Sequence, residues 1–551
     1  MVLSFNRKRP TRGKFTPCVG GEAKPVLNSL TSPAPIQGVN LFDSLADMSP
    51  RDAVYAYNIG PAEYGFRTRR GYQEHCTDMG SAGNAVRTLI PFEGESSSDD
   101  KLFAATVLGL YDVTASADNP AIDTSFGTQS GNAGYGVYEA YNNDNGDHFL
   151  FYADEVNGLY EYDGGAGTWA VSADITGVSE SNLVFVTEHK DRLWFVERDT
   201  ADAWYLAVGT KGGAATKFSL GNKFKRGGHL KGIFKWAVDG GDGPDDLLVF
   251  VSSAGEVAIY QGTDVSAATS WSSVGTWFIG QTPDSRRICE NIGGEMHIIS
   301  TMGLISLSDL VRGLSIQQLT GQQSLSKRIT RAIRNDMVND NDDFTWDIVP
   351  IPSEGSVLVL RPYSIDANAI QYVFSFSYPG WTYWRGLPMQ CCVEWKGTVY
   401  FGDGSGNVHK MINSLDGVVR AGTGGSPVKF SFLTAYSDLD APGITKQVHL
   451  VRPRFFSENG DPPAFNAQVC YDYQIAEKHL YIPASTSVTA GVWDTGLWDD
   501  AVWGGDATPD SRLIGTSGMG QVVALAIKGE CKDRTTYLDS SLYGKAGGLL
   551  F

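Results

Sequence analysis

The sequence predicts an all-β protein, and three observations predict it. A phrase of apolar strand, glycine turn and second apolar strand recurs at a fixed spacing. Glycine is abundant, at 64 of 551 residues. Helical periodicity is scarce. The phrase reads LFAATVLGLYDV at 102–113, FLFYADEVNGLYEY at 149–162, LLVFVSSAGEVAIY at 247–260, MHIISTMGLISL at 296–307 and VYFGDGSGNVHKM at 399–411. Its turn glycines are Gly109, Gly158, Gly255, Gly303 and Gly406, separated by 49, 97, 48 and 103 residues. The 297 residues they span make six steps of 49.5. A strand-filled period of that size is the signature of a β-propeller. Anchors expected near 207 and 354 are degenerate, reading WYLAVGTKGG (204–213) and PSEGSVLVL (352–360). The expectation is a propeller of six or seven blades over residues 88–413, with a C-terminal antiparallel β-sandwich-like domain and an extended N-terminal arm.

Each element follows from local pattern. Residues 1–36 hold Pro10, Pro17, Pro25, Pro33 and Pro35, and five cations within the first 14 residues: Arg7, Lys8, Arg9, Arg12 and Lys14. That reads as an extended basic arm, either a tail or a contact to an acidic partner or nucleic acid. Residues 37–87 lead into the first strands. There Ser49, Pro50 and Asp52, followed by residues 53–57, predict a short capped helix with Pro50 at its first position. Arg67, Arg69 and Arg70 follow, just before Gly71 and Tyr72. Within the repeat region, Leu325, Ile329 and Ile333 at i, i+4, i+8 predict an amphipathic helix over 324–337. The Asp/Asn/Gly clusters at 142–147, 239–246 and 339–343 read as solvated loops, since none has the spacing of a calcium-binding EF-hand loop.

From 425 onward the pattern changes to longer alternating strands, VKFSFLTAYSDL, ITKQVHLVRPRFF and AFNAQVCYDYQI. They predict the second β domain, over 425–551. Trp493, Trp498 and Trp503 are spaced by five, which fits neither a helix nor one strand face. They read as cover over an apolar surface or as a contact to another subunit.

Composition narrows the function. The formal charge of −18 argues against a conventional nucleic-acid-binding surface. Seven scattered cysteines with no CxxC favour reduced thiols over a disulfide framework or a zinc site. No stretch approaches the roughly 20 apolar residues of a membrane span, and the basic N-terminus lacks the apolar run of a secretory signal. There is no GxSxG, HExxH or P-loop. His148, His229, His297 and His409 sit in or beside repeat strands and read as structural. The expectation is a non-enzyme with no catalytic, cofactor-binding or metal residues. Sialidases are also propellers, and their blades carry an SxDxGxTW turn. The nearest phrase is YDGGAGTW at 162–169, with a second GTW at 275–277; its Asp-to-Trp spacing is one residue too long. A glycan-binding or glycan-cleaving propeller acting in host-surface recognition is the alternative reading.

The string GVNLFDSLADMSPRDAVYAYNI…GFRTRRGY (38–72) resembles the opening of the tail nozzle, tail tubular or head-to-tail hub proteins of short-tailed bacteriophages. The matching residues are Asn40, Asp43, Leu45, Pro50, Ala53, Arg70, Gly71 and Tyr72. KQVHLVRPRF at 446–455, the W-D-x-x-x-W-D-x-x-x-W string and the closing Tyr543, Gly547 and Gly548 are similar to that family too. The long basic arm and the Asp/Gly loops depart from it. The resemblance implies a structural virion protein, assembled in the host cytoplasm into a ring, usually six-fold, beneath the portal and adaptor and beside tail fibre or tailspike proteins. Such a ring forms the DNA exit channel and holds the genome until ejection, with double-stranded DNA passing through it without sequence-specific binding. A net negative protein suits a conduit, because repulsion replaces the counterion-release gain of binding. On this reading acidic loops line the lumen, while Arg7, Arg9, Arg67, Arg69 and Arg70 grip the adaptor and Trp493, Trp498 and Trp503 make subunit contacts.

Overall fold

The computed structural model describes residues 28–80, 83–237, 246–267, 270–313, 324–362, 370–475 and 508–546. Among these the chain is almost entirely β and β-propeller-like. It winds through successive small antiparallel sheets, each entered by a strand that packs beside the entering strand of its neighbours.

The first sheet holds Thr88–Phe92, Lys101–Ala105, Gly109–Asp112 and Ile122–Ser125. The second holds Gly136–Asn142, His148–Asp154, Gly158–Asp163 and Thr168–Val171. The third runs from Leu183–His189 to Thr216–Ser219, and the fourth from Leu230–Trp236 to Trp271–Phe278. The next has three strands, from Cys289–Ile292 to Gly303–Ser306, and then the one-turn helix Leu307–Val311. Strands Asp347–Ile351 to Gly380–Arg385 form the sheet after it. The last is built from Cys391–Trp395, Thr398–Gly402 and Val408–Lys410, and its outer strand comes from the other end of the chain: Gln73–Thr77 pairs with Val408–Lys410. The entering strand Cys391–Trp395 packs beside Thr88–Phe92, so the succession returns on itself.

The five repeat glycines all stand at the turn between second and third strands, each with positive φ. Gly255 shows why the position needs glycine: its φ is +80°, and a Cβ there would lie 1.9 Å from the Gly280 carbonyl oxygen. The two degenerate anchors have separate explanations. In the third sheet the corresponding turn comes early, at Asp199, which itself adopts φ 58°. Gly355, near the expected 354, lies instead between first and second strands, because the insertion before Asp347–Ile351 shifts the phase.

Two sequence expectations are corrected in position or type. Residues 53–57 form a strand, Ala53–Tyr57, not a helix. The Asp52 carboxylate does accept the Ser49 N–H at 3.0 Å, but this closes a turn. The alternating apolar residues then pair antiparallel with Gly424–Thr434, so tertiary pairing overrides the capping signal. The amphipathic helix is Thr330–Asp340, later than 324–337, and buries Ile333 and Met337 with Ile329 at its start.

The C-terminal strands do not form a sheet by themselves. Thr535–Ala546 pairs with Lys446–Ser457, with Asn28–Pro33 and with Gly65–Thr68. Gly424–Thr434 pairs with Val523–Cys531, which pairs with Ala464–Tyr471. The two sheets share one aromatic core of Phe66, Phe430, Phe432, Phe455, Phe465 and Tyr537. Phe66 meets Phe432 edge-on at 5.5 Å, and Phe455 meets Phe465 at 4.5 Å. Both chain ends are therefore woven into one two-sheet platform, and the repeat sheets are looped out between them.

Candidate assembly surfaces and central cavity

Asn40, Asp43, Gly71 and Tyr72, among the residues that carry the family resemblance, stand at the junction between the platform and the repeat sheets, whereas Gly547 and Gly548 lie outside the described residues. Asn40 donates to Asp43 at 2.8 Å and to Asp52 at 2.9 Å. Asp52, 1% exposed, also takes Arg328 at 2.6 Å, tying this segment to the residues before the helix. Gly71 sits where a Cβ would be 2.2 Å from the Leu415 carbonyl oxygen. Tyr72 then packs edge-on to Phe401 and His409 inside the last sheet.

The three arginines before Gly71 have different roles. Arg69 is buried, and both its terminal nitrogens reach Asp416 at 2.7 Å, while its Nε donates to Asn58. Its guanidinium is consumed within the chain and cannot grip an adaptor. Arg67 and Arg70 keep exposed surface and pair with Glu458 at 3.7 Å and Glu354 at 2.7 Å. Arg7, Arg9, Trp493, Trp498 and Trp503 lie outside the described residues, as do 239–245 of the second acidic loop. The loop at 142–147 is organised by Asn143, whose side chain accepts from the Asn145 and Asp147 amides. Trp169 is buried against Phe103 and Tyr162, so the YDGGAGTW phrase packs a sheet core. Trp277 packs beside the core of the fourth and fifth sheets. His409 stacks on Phe401 and meets Asp403 at 2.9 Å, a structural role. Among the described residues no helix is long and apolar enough to cross a membrane, and no group of three or more His, Cys, Asp or Glu side chains is placed to hold a metal ion. The six described cysteines are all buried free thiols.

Sequence reasoning missed a cavity of about 690 Å³, lined by the entering strand of every repeat sheet. At the end where these strands begin, it is crossed by side chains. Arg286 pairs with Glu155 of the second sheet and donates to the Lys231 carbonyl. Arg287 pairs with Asp347 at 3.3 Å and reaches the Arg87 carbonyl of the first sheet. The Arg286–Glu155 and Arg287–Arg87 contacts link non-neighbouring sheets, so they span the cavity. The other end opens past Glu93, Asn291, Glu394 and Lys396.

Within it, Lys235 bridges Glu139 at 2.7 Å and Glu188 at 3.4 Å. Burial pushes the Glu139 carboxyl up, with Lys235 opposing. Burial also pushes Asp347 to about 6, against the pull of Arg287. Glu290 is pushed to about 7 by burial and then by the charges of Asp347 and Glu139. Glu290 has no ion-pair partner among the described residues. The pattern was hidden because each strand contributes one or two of these groups, spread from Glu139 to Asp347 along the chain.

No protein-family model matches the chain, and no curated protein matches it. Solved structures similar to it are remote. One is PorZ, a surface component of the type-IX secretion system of Porphyromonas gingivalis, at 13% identity and TM-score 0.33, covering 59% of this chain. Another is the extracellular domain of the putative hybrid two-component system BT3049 from B. thetaiotaomicron, at 10%, TM-score 0.41 and 86%. A third is BBS1N, in complex with ARL6DN, at 12%, TM-score 0.27 and 40%. The chain spans 36%, 62% and 64% of these three proteins' lengths.

Proposed function

We propose that the repeat sheets are a seven-bladed β-propeller, closed by Gln73–Thr77 as the outer strand of the last blade, and that the chain is a structural subunit of a short-tailed phage tail nozzle. In this reading copies form a ring below the portal and adaptor that guides and retains double-stranded DNA. One observation carries it: the N-terminal segment that resembles the nozzle family is the part that locks both chain ends and the propeller together. Asn40, Asp52, Gly71 and Tyr72 each fix that junction by a contact described above.

The physics suits a building block. Because both ends of the propeller insert are held in one two-sheet core, load on the platform passes to the propeller through paired strands. The net charge of −18 disfavours tight binding of the DNA to the protein surface as it passes. Arg67 and Arg70, with the sequence-distal Arg7 and Arg9, supply cations for an adaptor contact, and Trp493, Trp498 and Trp503 supply subunit contacts.

The test is solution mass, measured by multi-angle light scattering on full-length protein with and without the adaptor of the same virion. A ring-sized species that appears, or grows, with adaptor supports the proposal. A monomer in every condition that binds sialylated or other glycans on an array would replace it with the glycan-recognition reading.

A further inference from the structure

The central cavity has a charge imbalance that the fold does not resolve. Each cation that faces it is already matched. Lys235 has Glu139 and Glu188, Arg286 has Glu155, Arg287 has Asp347, and Lys396 has Asp100 at 2.9 Å. Glu290 is matched by none, and Glu93 and Glu394 add two more carboxylates at the mouth. Removing a carboxylate from water without a cation costs stability, and nothing in the packing of Cys289–Ile292 demands an acid at that position. Its side chain lies on a strand whose neighbours Cys289 and Ile292 fill the core.

We propose that the cavity binds an organic cation, an alkylammonium or guanidinium group, through Glu290. The remaining wall is suited to the carbon chain of such a group: Tyr138, Ile233, Phe234 and Val349 present apolar or aromatic surface. A volume of about 690 Å³ lies within the range of small-ligand pockets and far exceeds what a bare ion needs. No three carboxyl or imidazole groups converge among the described residues as a metal would require. Arg286 and Arg287 cross one end of the cavity, so the ligand enters past Asn291 and Lys396 at the other. The cation can be a free amine or a basic side chain of a polypeptide; the shared chemistry is the charged nitrogen on an apolar stem.

The experiment is calorimetric titration of the full-length protein with 1,4-diaminobutane, with 1,4-butanediol as the uncharged counterpart, and with a peptide of residues 5–14 of this chain, FNRKRPTRGK. The diamine, the peptide or both should bind at one site per chain at pH 8, and the diol should not. Binding by the diamine alone assigns a free amine; binding by the peptide alone assigns a basic polypeptide segment. Glu290→Gln should weaken binding by about tenfold or more, the effect of losing one charge contact. In the unmutated protein, lowering the pH to 5.5 should weaken binding in the same direction, since Glu290 becomes neutral. The other charged groups that line the cavity with Glu290 are Glu93, Glu139, Lys235, Arg286, Arg287, Asp347, Glu394 and Lys396, and protonation of the acids among them acts in the same sense. Failure of both charged probes to bind, equal binding by the diol, or affinity unchanged at pH 5.5 and in Glu290→Gln would each overturn the proposal.

Discussion

Arg69 and Asp416, 347 residues apart in sequence, form a two-pronged ion pair with both nitrogen–oxygen distances at 2.7 Å. The Arg69 side chain is 1% exposed. The pair fastens the segment leading out of the platform to strand Leu415–Val418, which leads back into it. A buried pair of this kind is costly to break, because the surviving partner is left without compensation.

Replacing Arg69 with Met should therefore destabilise the protein by about 3 kcal/mol. Replacing Arg70 with Met, which removes a half-exposed ion pair to Glu354, should change stability by about 1 kcal/mol or less. Thermal or urea unfolding of the two variants checks the contrast. Equal effects would mean the junction is not held by Arg69.

The repeat glycines offer a second contrast. Gly255→Ala forces a Cβ onto the Gly280 carbonyl oxygen in a left-handed backbone conformation and should cost about 3 kcal/mol. Gly146 also has positive φ, but a Cβ there meets nothing within 4 Å. Its Ala variant should cost about 1 kcal/mol, the conformational part alone. Melting curves of the two variants separate collision from backbone strain.

Closure by the N-terminal strand predicts a sharp truncation boundary. A chain beginning at residue 28 keeps every described strand and should melt as the full-length protein does. A chain beginning at residue 79 loses Gln73–Thr77 and the platform strands before it. It should lose the cooperative transition, which circular dichroism and differential scanning calorimetry would register.

Glu290 ties stability to pH. Its carboxyl is raised from 4.5 to about 7 in the folded protein, so the folded state holds a proton that the unfolded state has released. Stability from this group thus falls as pH rises from 4.5 to 7 and stays reduced above it. Glu290→Gln should be more stable than the unmutated protein at pH 8, by about 2 °C in Tm, and the gap should close near pH 4.5. Scans of both proteins across that range would show whether the gap moves with pH in this direction.

The sequence made the repeat legible because Gly109, Gly158, Gly255, Gly303 and Gly406 meet a steric demand that only glycine satisfies cheaply. It misled at 53–57, where a Ser-Pro-x-Asp capping signal is locally real but a strand partner 374 to 381 residues away decides the outcome. Arg69 could not be told from Arg67 and Arg70, since burial depends on Asp416 and Asn58, far along the chain. The cavity was invisible for the same reason: Glu139, Glu290 and Asp347 sit in unremarkable strand phrases, and only ring closure brings them together. The platform was misread as C-terminal because strand alternation says which face is buried but not which distant strand pairs with it.

The central claim is that copies of this chain pack as a ring. Two-dimensional class averages of purified full-length protein, imaged by electron microscopy alone and after mixing with adaptor, test it most directly. The account predicts a rotationally symmetric ring, six-fold in the resembling family, with an open hole and a propeller-sized lobe on each subunit. Isolated compact particles in both conditions would contradict it.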